Sequence, residues 1–290
     1  MNLQEVEEVG AIAPNSIVNA DCLEAMKFIP DKSIDCIITD LPYGITQCKW
    51  DTVIPFEPLW EQYKRIIKPN GAIVLFGSQP FTSALVMSNP KWFKYEWIWE
   101  KNYGSNFACL KYMPSKEHEN ILVFGKGKVN YYPIRISRSE ISLKRDPKGT
   151  TRVRRNLAWA NRPGELIAMI QPLLSNPYHI DGMKNPRSIV KFNRNIHIDK
   201  RKHPTQKPTT LLEYLIKTYT IEGELILDNT AGSGSLAIAA INTNRNYICI
   251  EKDDHYFQVM SDRIANHEAI APPPKKSKPR PVPEGQLSLF

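Results

Sequence analysis

Short apolar runs separated by longer amphipathic stretches set the organisation of this chain. Ile34–Thr39 and Ala72–Phe76 are almost unbroken in apolar side chains, the pattern of strands covered on both faces. Five further runs have strand length: Ser16–Asn19, Phe93–Trp99, Asn120–Phe124, Leu225–Leu227 and Tyr247–Ile250. Between these runs, helical patterns lie at Leu23–Phe28, Leu59–Ile67, Phe81–Met87, Thr209–Thr218, Leu236–Ile241 and His255–His267. Strands alternating with helices predict an α/β fold, a parallel sheet with helices on both faces. Ligands of such sheets bind beyond the carboxyl ends of the strands, at a topological switch point. The residues that follow the strands therefore carry the functional interest.

Two strand ends stand out. Ile34–Thr39 runs into Asp40-Leu41-Pro42-Tyr43-Gly44, which puts a carboxylate, a proline and an aromatic ring on one turn. Chemistry on the exocyclic amine of a flat ring needs that set. The carboxylate and a backbone carbonyl accept the two N–H bonds, the aromatic ring stacks on the substrate, and the proline fixes the turn. A plain Asp-Pro turn has the same composition, so these residues alone do not decide. Far downstream, Leu225–Leu227 leads through Asp228 into Asn229-Thr230-Ala231-Gly232-Ser233-Gly234-Ser235, then a small-residue helix, then a strand ending in Glu251. Glycines there let backbone N–H groups approach a ligand, and the acid can bind a ribose diol. Gly232-x-Gly234-x-x-Ala237 also fits a dinucleotide fingerprint and a tight structural turn. No Gly-Lys-Ser/Thr follows, which argues against a phosphate-binding loop.

Taken together, these residues resemble the β class of S-adenosylmethionine-dependent DNA amino-methyltransferases. Asp40-Leu41-Pro42-Tyr43 is similar to the catalytic Asp-Pro-Pro-Tyr motif, with Leu41 in place of the first proline and its carbonyl still free to accept. Asp228 to Ser235 resembles the cofactor loop, with Thr230 in place of a common phenylalanine. Tyr247 to Tyr256, including Glu251, resembles the strand and acid that hold the cofactor ribose, and Lys202-His203-Pro204-Thr205-Gln206-Lys207-Pro208 resembles the segment preceding the cofactor loop. The resemblance implies a Rossmann-like, seven-stranded methyltransferase sheet with circularly permuted motif order, the catalytic motif first. It implies cofactor-binding roles for Asp21, Lys207, Asp228, Thr230, Gly232, Ser233, Gly234 and Glu251, with Asp21 equally suited to capping the next helix. It also places the strands carrying Asp40 and Asp228 side by side.

Charge refines the picture. The 290 residues carry a net charge of +8. Lys126 to Lys202 alone holds eighteen Lys and Arg against five Asp and Glu, so the rest of the chain is acidic. This basic segment lacks clear periodicity and interleaves Tyr131, Tyr132, Trp159 and Tyr178. It suits a target-recognition insertion contacting phosphates of double-stranded DNA, with Arg152, Arg154 and Arg155 its densest cluster. The chain then divides into a catalytic half (1–125), the basic region (126–201), a cofactor-binding half (202–270) and a proline-rich tail (271–290). That tail ends in Gln286-Leu287-Ser288-Leu289-Phe290. Apolar residues at the tip of a solvated linker are out of place unless something binds them. The pentapeptide resembles the motif with which bacterial DNA proteins dock on the sliding clamp, through Gln286, Leu287, Leu289 and Phe290.

Composition narrows the class further. The five cysteines are scattered and the six histidines lack ligand spacing, so a reducing cytoplasm, bacterial or phage-directed, is expected and no metal. The N-terminal segment is acidic and polar and the apolar runs are short, so neither a signal peptide nor a membrane span is expected. No Pro-Cys pair is present to supply the nucleophile for methylation at cytosine carbon 5. The resemblance therefore implies transfer of a methyl group to the N6 amine of a flipped adenine. N4-methylation of cytosine is the alternative; methylation of RNA or protein amines, a nicotinamide-dependent oxidoreductase and a DNA-binding protein with a degenerate core are more distant readings. Both a monomer and a homodimer fit the sequence.

Overall fold

The computed structural model describes residues 1–44, 51–145, 183–194 and 206–268. It divides into two compact units, one formed by 1–132 with 188–290 and the other by 133–187. In the first unit, the strands β1 (Ser16–Asn19), β2 (Ile34–Thr39), β3 (Ile67–Gly77), β4 (Phe93–Glu100), β5 (His118–Phe124), β8 (Ile189–Lys191), β9 (Leu225–Asp228) and β10 (Asn246–Glu251) form one sheet. Its order is β1-β10-β9-β2-β3-β5-β4-β8. The second unit shows, among its described residues, a two-stranded ribbon of β6 (Ile136–Ser137) and β7 (Met183–Lys184) and the helix Glu140–Arg145. Arg152, Arg154 and Arg155 lie outside the described residues, as do Gln286, Leu287, Leu289 and Phe290.

Alternation along the central strands builds two cores. On β3, Ala72, Val74 and Phe76 face the helices Thr209–Tyr219 and Ser235–Asn242, against Leu211, Leu215, Ile216 and Leu236. Ile73 and Leu75 face the opposite side, where Leu59, Tyr63 and Ile66 of Phe56–Ile66 and Phe81 and Leu85 of Phe81–Ser88 pack. All six residues of β2 are buried; its two polar members are partnered, Asp35 with Lys68 and Leu225 N–H, and Thr39 with Asp228. At about 25 cal/mol per Å² of apolar surface removed from water, this two-sided burial is the main force holding the sheet. The N-terminal helix Leu3–Val9 was not evident from periodicity. A capping box makes it: Glu5 N–H donates to Asn2 Oδ1 (3.0 Å) and Asn2 N–H to Glu5 Oε2 (2.9 Å).

Two expectations need correction. The sheet has eight strands rather than seven. The extra one, β8, is three residues long and only Val190 of it is buried, too short to leave a pattern. It is held by pairing with β4 and by Trp99 Nε1–H donating to the Phe192 carbonyl (2.9 Å). Nor is the sheet all parallel, since β5 runs antiparallel to both β3 and β4. A parallel return needs a crossover element. The segment between β4 and β5 offers only a loop with one 3-10 turn, Phe107–Cys109. No helix among the described residues is long and apolar enough to cross a membrane.

Candidate active site

Strands β2 and β9 are parallel neighbours, with Cys36 opposite Ile226 and Ile37 opposite Leu227. The chain leaves β2 toward β3 on one side, and leaves β9 toward β10 on the other. Their carboxyl ends therefore diverge at a switch point, and Asp40 and Asp228 emerge there together. Threonine hydroxyls tie the two ends. Thr39 Oγ1 donates to Asp228 Oδ1 (2.8 Å), the Thr39 and Thr230 hydroxyls lie 2.7 Å apart, and Thr230 Oγ1 donates to the Asp40 carbonyl (3.1 Å). Thr230, where the related motif commonly has phenylalanine, thus stitches the glycine-rich loop to the Asp40 turn.

Asp40 sits in a dense polar setting. Its Oδ1 accepts from the Tyr43 hydroxyl (2.6 Å) and its Oδ2 forms a close ion pair with Lys207 Nζ. Lys207 also lies 3.2 Å from Glu119 Oε2, and Lys101 pairs with Glu119 Oε1 at 3.0 Å. Two acids and two lysines alternate in a chain, with both lysines buried. Burial pushes the Asp40 carboxyl above the usual carboxylate range, while Lys207 pulls it back. Burial alone would lower the Lys207 ammonium, but Asp40 and Glu119 reverse this and hold it above an ordinary lysine. Glu119 is kept low by Lys207 and Lys101 against the desolvation that would raise it. Tyr43 stacks on Phe81, ring centroids 5.0 Å apart and planes 29° from parallel, which fixes the plane of its ring. Gly44 N–H donates to Asp51 Oδ1 (2.8 Å), closing the far side of the turn.

The glycine-rich loop forms the other end. Gly232 and Gly234 adopt positive φ of 53° and 75°, and a Cβ on Gly234 would come within 2.6 Å of Met260 Cγ, so both conformation and space favour glycine. Glu251 accepts from Gly232 N–H (2.7 Å) and Asp253 N–H (2.8 Å). Desolvation nevertheless holds its carboxyl above the ordinary range. Asp228, buried in the cavity wall, is raised to about 7 by burial. Asp21 caps Cys22–Met26 through Leu23 N–H (3.0 Å) and pairs with Lys252 (3.0 Å). Ser233 contacts Arg263 through its carbonyl (3.2 Å).

One cavity of about 840 Å³ joins both ends. It is lined by Asp40, Leu41, Pro42 and Tyr43 together with Asp21, Lys207, Asp228, Thr230, Gly232, Ser233 and Glu251. Gly234 packs behind the loop, against Met260. Glu119 and Lys101 also line the cavity and were not singled out from the sequence. The available signal was a polar His118-Glu119-Asn120 heading an apolar strand, with Lys101 closing the preceding one.

A carboxylate turn and a glycine-rich loop thus meet at the switch point of an open α/β sheet, the place where enzymes of this architecture bind their ligands. A model of the N6/N4 DNA methylase family matches residues 34–262, and the chain belongs to that family. It is similar to the type II methyltransferase M.HpaI of Haemophilus parainfluenzae, 24% identical over 267 residues, covering 86% of this chain and 73% of that protein. It is also similar to M.HinfI of Haemophilus influenzae, 26% identical over 284 residues, covering 86% and 68%. Among solved structures, the M1.HpyAVI-SAM complex shares the fold with a TM-score of 0.56 at 23% identity, covering 86% of this chain and 98% of that one. The PvuII DNA methyltransferase (cytosine-N4-specific) gives 0.58 at 13% identity, covering 89% and 93%. The protein is therefore a DNA amino-methyltransferase.

Proposed function

We propose that the protein methylates the N6 amine of an adenine flipped out of duplex DNA, with S-adenosylmethionine as methyl donor. One observation carries the reading: Asp40, Leu41 and Tyr43 open onto the same cavity as the Gly232 loop and Glu251. The donor set suits that cofactor. Glu251 can accept from a ribose diol, and Asp21, Glu251 and Asp253 line the cavity with carboxyl oxygens that suit a cationic ligand. When bound, the cofactor supplies a methyl group already activated by positive charge on sulfur.

The chain's own residues position the amine. An ionised carboxylate has about four lone-pair sites, so Asp40 can accept a substrate N–H while keeping Tyr43 and Lys207. The Leu41 carbonyl accepts the second N–H, which turns the nitrogen lone pair out of conjugation with the ring. Tyr43, backed by Phe81, presents a flat face for the base. Holding reactants in this arrangement lowers the barrier mainly through orientation and fixed electrostatics. As the nitrogen becomes cationic its proton sits on the hydrogen bond to Asp40, whose carboxylate balances the developing charge. The basic region around Arg152, Arg154 and Arg155 grips phosphates, a role that rests on its composition.

N4-methylation of cytosine is the second reading, because that amine presents the same two protons and a cytosine-N4-specific enzyme shares the fold. Aspartate at position 40 favours adenine, since the related cytosine enzymes often carry serine there. The test is incubation of the purified protein with DNA and labelled cofactor, followed by nucleoside analysis. N6-methyladenine is expected, and Asp40→Ala abolishes it while leaving cofactor and DNA binding in place. N4-methylcytosine as the product, or near-normal turnover by Asp40→Ala, overturns the assignment.

A further inference from the structure

The loop between β4 and β5 presents an unusual surface. Within eleven residues it exposes Tyr103 (54%), Phe107 (67%), Leu110 (48%), Tyr112 (80%) and Met113 (51%). Large apolar side chains scattered singly over a surface need no explanation, but a concentrated group marks an interaction site. The loop is well defined rather than slack. Lys101 N–H donates to the Glu117 carbonyl (2.7 Å) and Ser105 N–H to the Lys116 carbonyl (3.2 Å), which closes the stem. Asn106 braces the interior, donating to the Pro114 carbonyl (2.9 Å) and accepting from Lys116 N–H (2.7 Å). Tyr112 and Met113 N–H both donate to the Cys109 carbonyl (2.8 and 3.0 Å), folding the tip onto the Phe107–Cys109 turn.

The stem is also part of the active-site wall. Lys101, Ser105 and Lys116 line the cavity beside Asp40 and Glu119. Lys116 Nζ is bonded to Ser78 Oγ, which pins the loop to the end of β3. At the tip, Lys111 Nζ lies 5.8 Å from the centre of the Tyr112 ring, so a cation accompanies the most exposed aromatic group.

We propose that this loop is a wedge that enters duplex DNA and fills the gap left by the flipped base, with Tyr112 and Phe107 as the inserted side chains. The inference rests on the DNA-methylating reading of the cavity. Extrusion of a base leaves two apolar base faces exposed, and apolar side chains inserted between base steps are a recurrent means of covering them. Such a device needs a planar or apolar tip, a rigid stem and attachment at the mouth of the pocket that receives the base. This loop has all three. Lys111 supplies positive charge where the tip meets the phosphate backbone. The wedge thus controls opening of the base pair, while Asp40 and Tyr43 act on the base once it is out.

The test compares two duplexes that carry the recognition sequence found by mapping modified DNA, one fully paired and one with the target base facing an abasic site. Rates are measured in single turnover for the wild type and for Phe107→Ala/Tyr112→Ala. The variant is expected to lose about tenfold or more on the paired duplex and to come within about twofold of the wild type on the abasic one, where extrusion is already easy. A 2-aminopurine probe at the target position should brighten less with the variant than with the wild type. Equal loss on both duplexes, or no loss on either, overturns the wedge. So does a change in oligomeric state on gel filtration, which would make the patch an interface between copies of this chain. Failure of the wild type to methylate any DNA would instead remove the underlying reading, so the two failures are distinct.

Discussion

Replacing Lys207 by methionine tests whether this lysine acts on the catalytic carboxylate or holds the cofactor. Lys207 is 8% exposed and bridges Asp40 and Glu119. Methionine has similar length and keeps the packing against Phe76, whose ring centre lies 5.0 Å from Nζ, but it leaves two carboxylates facing each other. Lys101 remains, yet it pairs with the far oxygen of Glu119 and does not replace Lys207 beside Asp40. Breaking a buried pair from one side costs about 3–5 kcal/mol. For a domain of this size that is a fall in Tm of roughly 6–20 °C. Lys207 is also the largest influence lowering the Asp40 carboxyl against its burial. Without it, Asp40 holds its proton to higher pH, and a protonated Asp40 loses acceptor capacity toward the substrate amine. The acid limb of the kcat profile should therefore move to higher pH. At neutral pH, loss of one charge-assisted positioning contact of about 1.5–3 kcal/mol lowers kcat by about 10–150-fold. Lys207→Arg should recover much of the rate, and calorimetry should find cofactor affinity little changed. An acid limb that stays in place, together with cofactor affinity lost in proportion to rate, would refute this reasoning and assign Lys207 to the cofactor.

Three other outcomes follow from the same geometry. Glu251→Ala should weaken S-adenosylmethionine binding by about tenfold to more than a hundredfold, since each hydrogen bond from the diol to a charged acceptor contributes about 1.5–3 kcal/mol; unchanged affinity by calorimetry places the ribose elsewhere. Asp228, raised to about 7 in the fold, contributes stability that is fully present below its unfolded value and lost as pH rises through about 7. Between pH 5 and 8 the wild type should lose up to a few kcal/mol in urea titrations and Asp228→Asn much less; equal losses contradict the assignment. The C-terminal pentapeptide is proposed to bind a bacterial sliding clamp and tether the enzyme at roughly mM local concentration. A protein ending at Gly285 should then lose clamp binding while methylating short duplexes normally, and equal binding by both forms excludes that role.

The sequence by itself determined the local elements. Apolar runs such as Ile34–Thr39 and Ala72–Phe76 are strands because a two-sided core selects continuous apolar stretches, and six of the eight described helices followed from their own periodicity. The Asp40 turn and the Gly232 loop were visible as motifs, because each needs special residues within a few positions. Tertiary structure decided what those motifs touch. Thr39 meets Asp228 across 189 residues, and Asp40 meets Lys207 across 167; periodicity within a window carries no information at such separations. The antiparallel course of β5 depended on how a loop without a crossover helix returns to the sheet, and β8 on the packing of Trp99 and Val190 rather than on its own three residues. Charge makes the same distinction. Glu119 and Lys101 are ordinary charged residues in the sequence and Lys207 stands there only as part of a motif; only their shared burial makes the three a coupled chain with Asp40, because an ion removed from water must find its partner within a few ångströms.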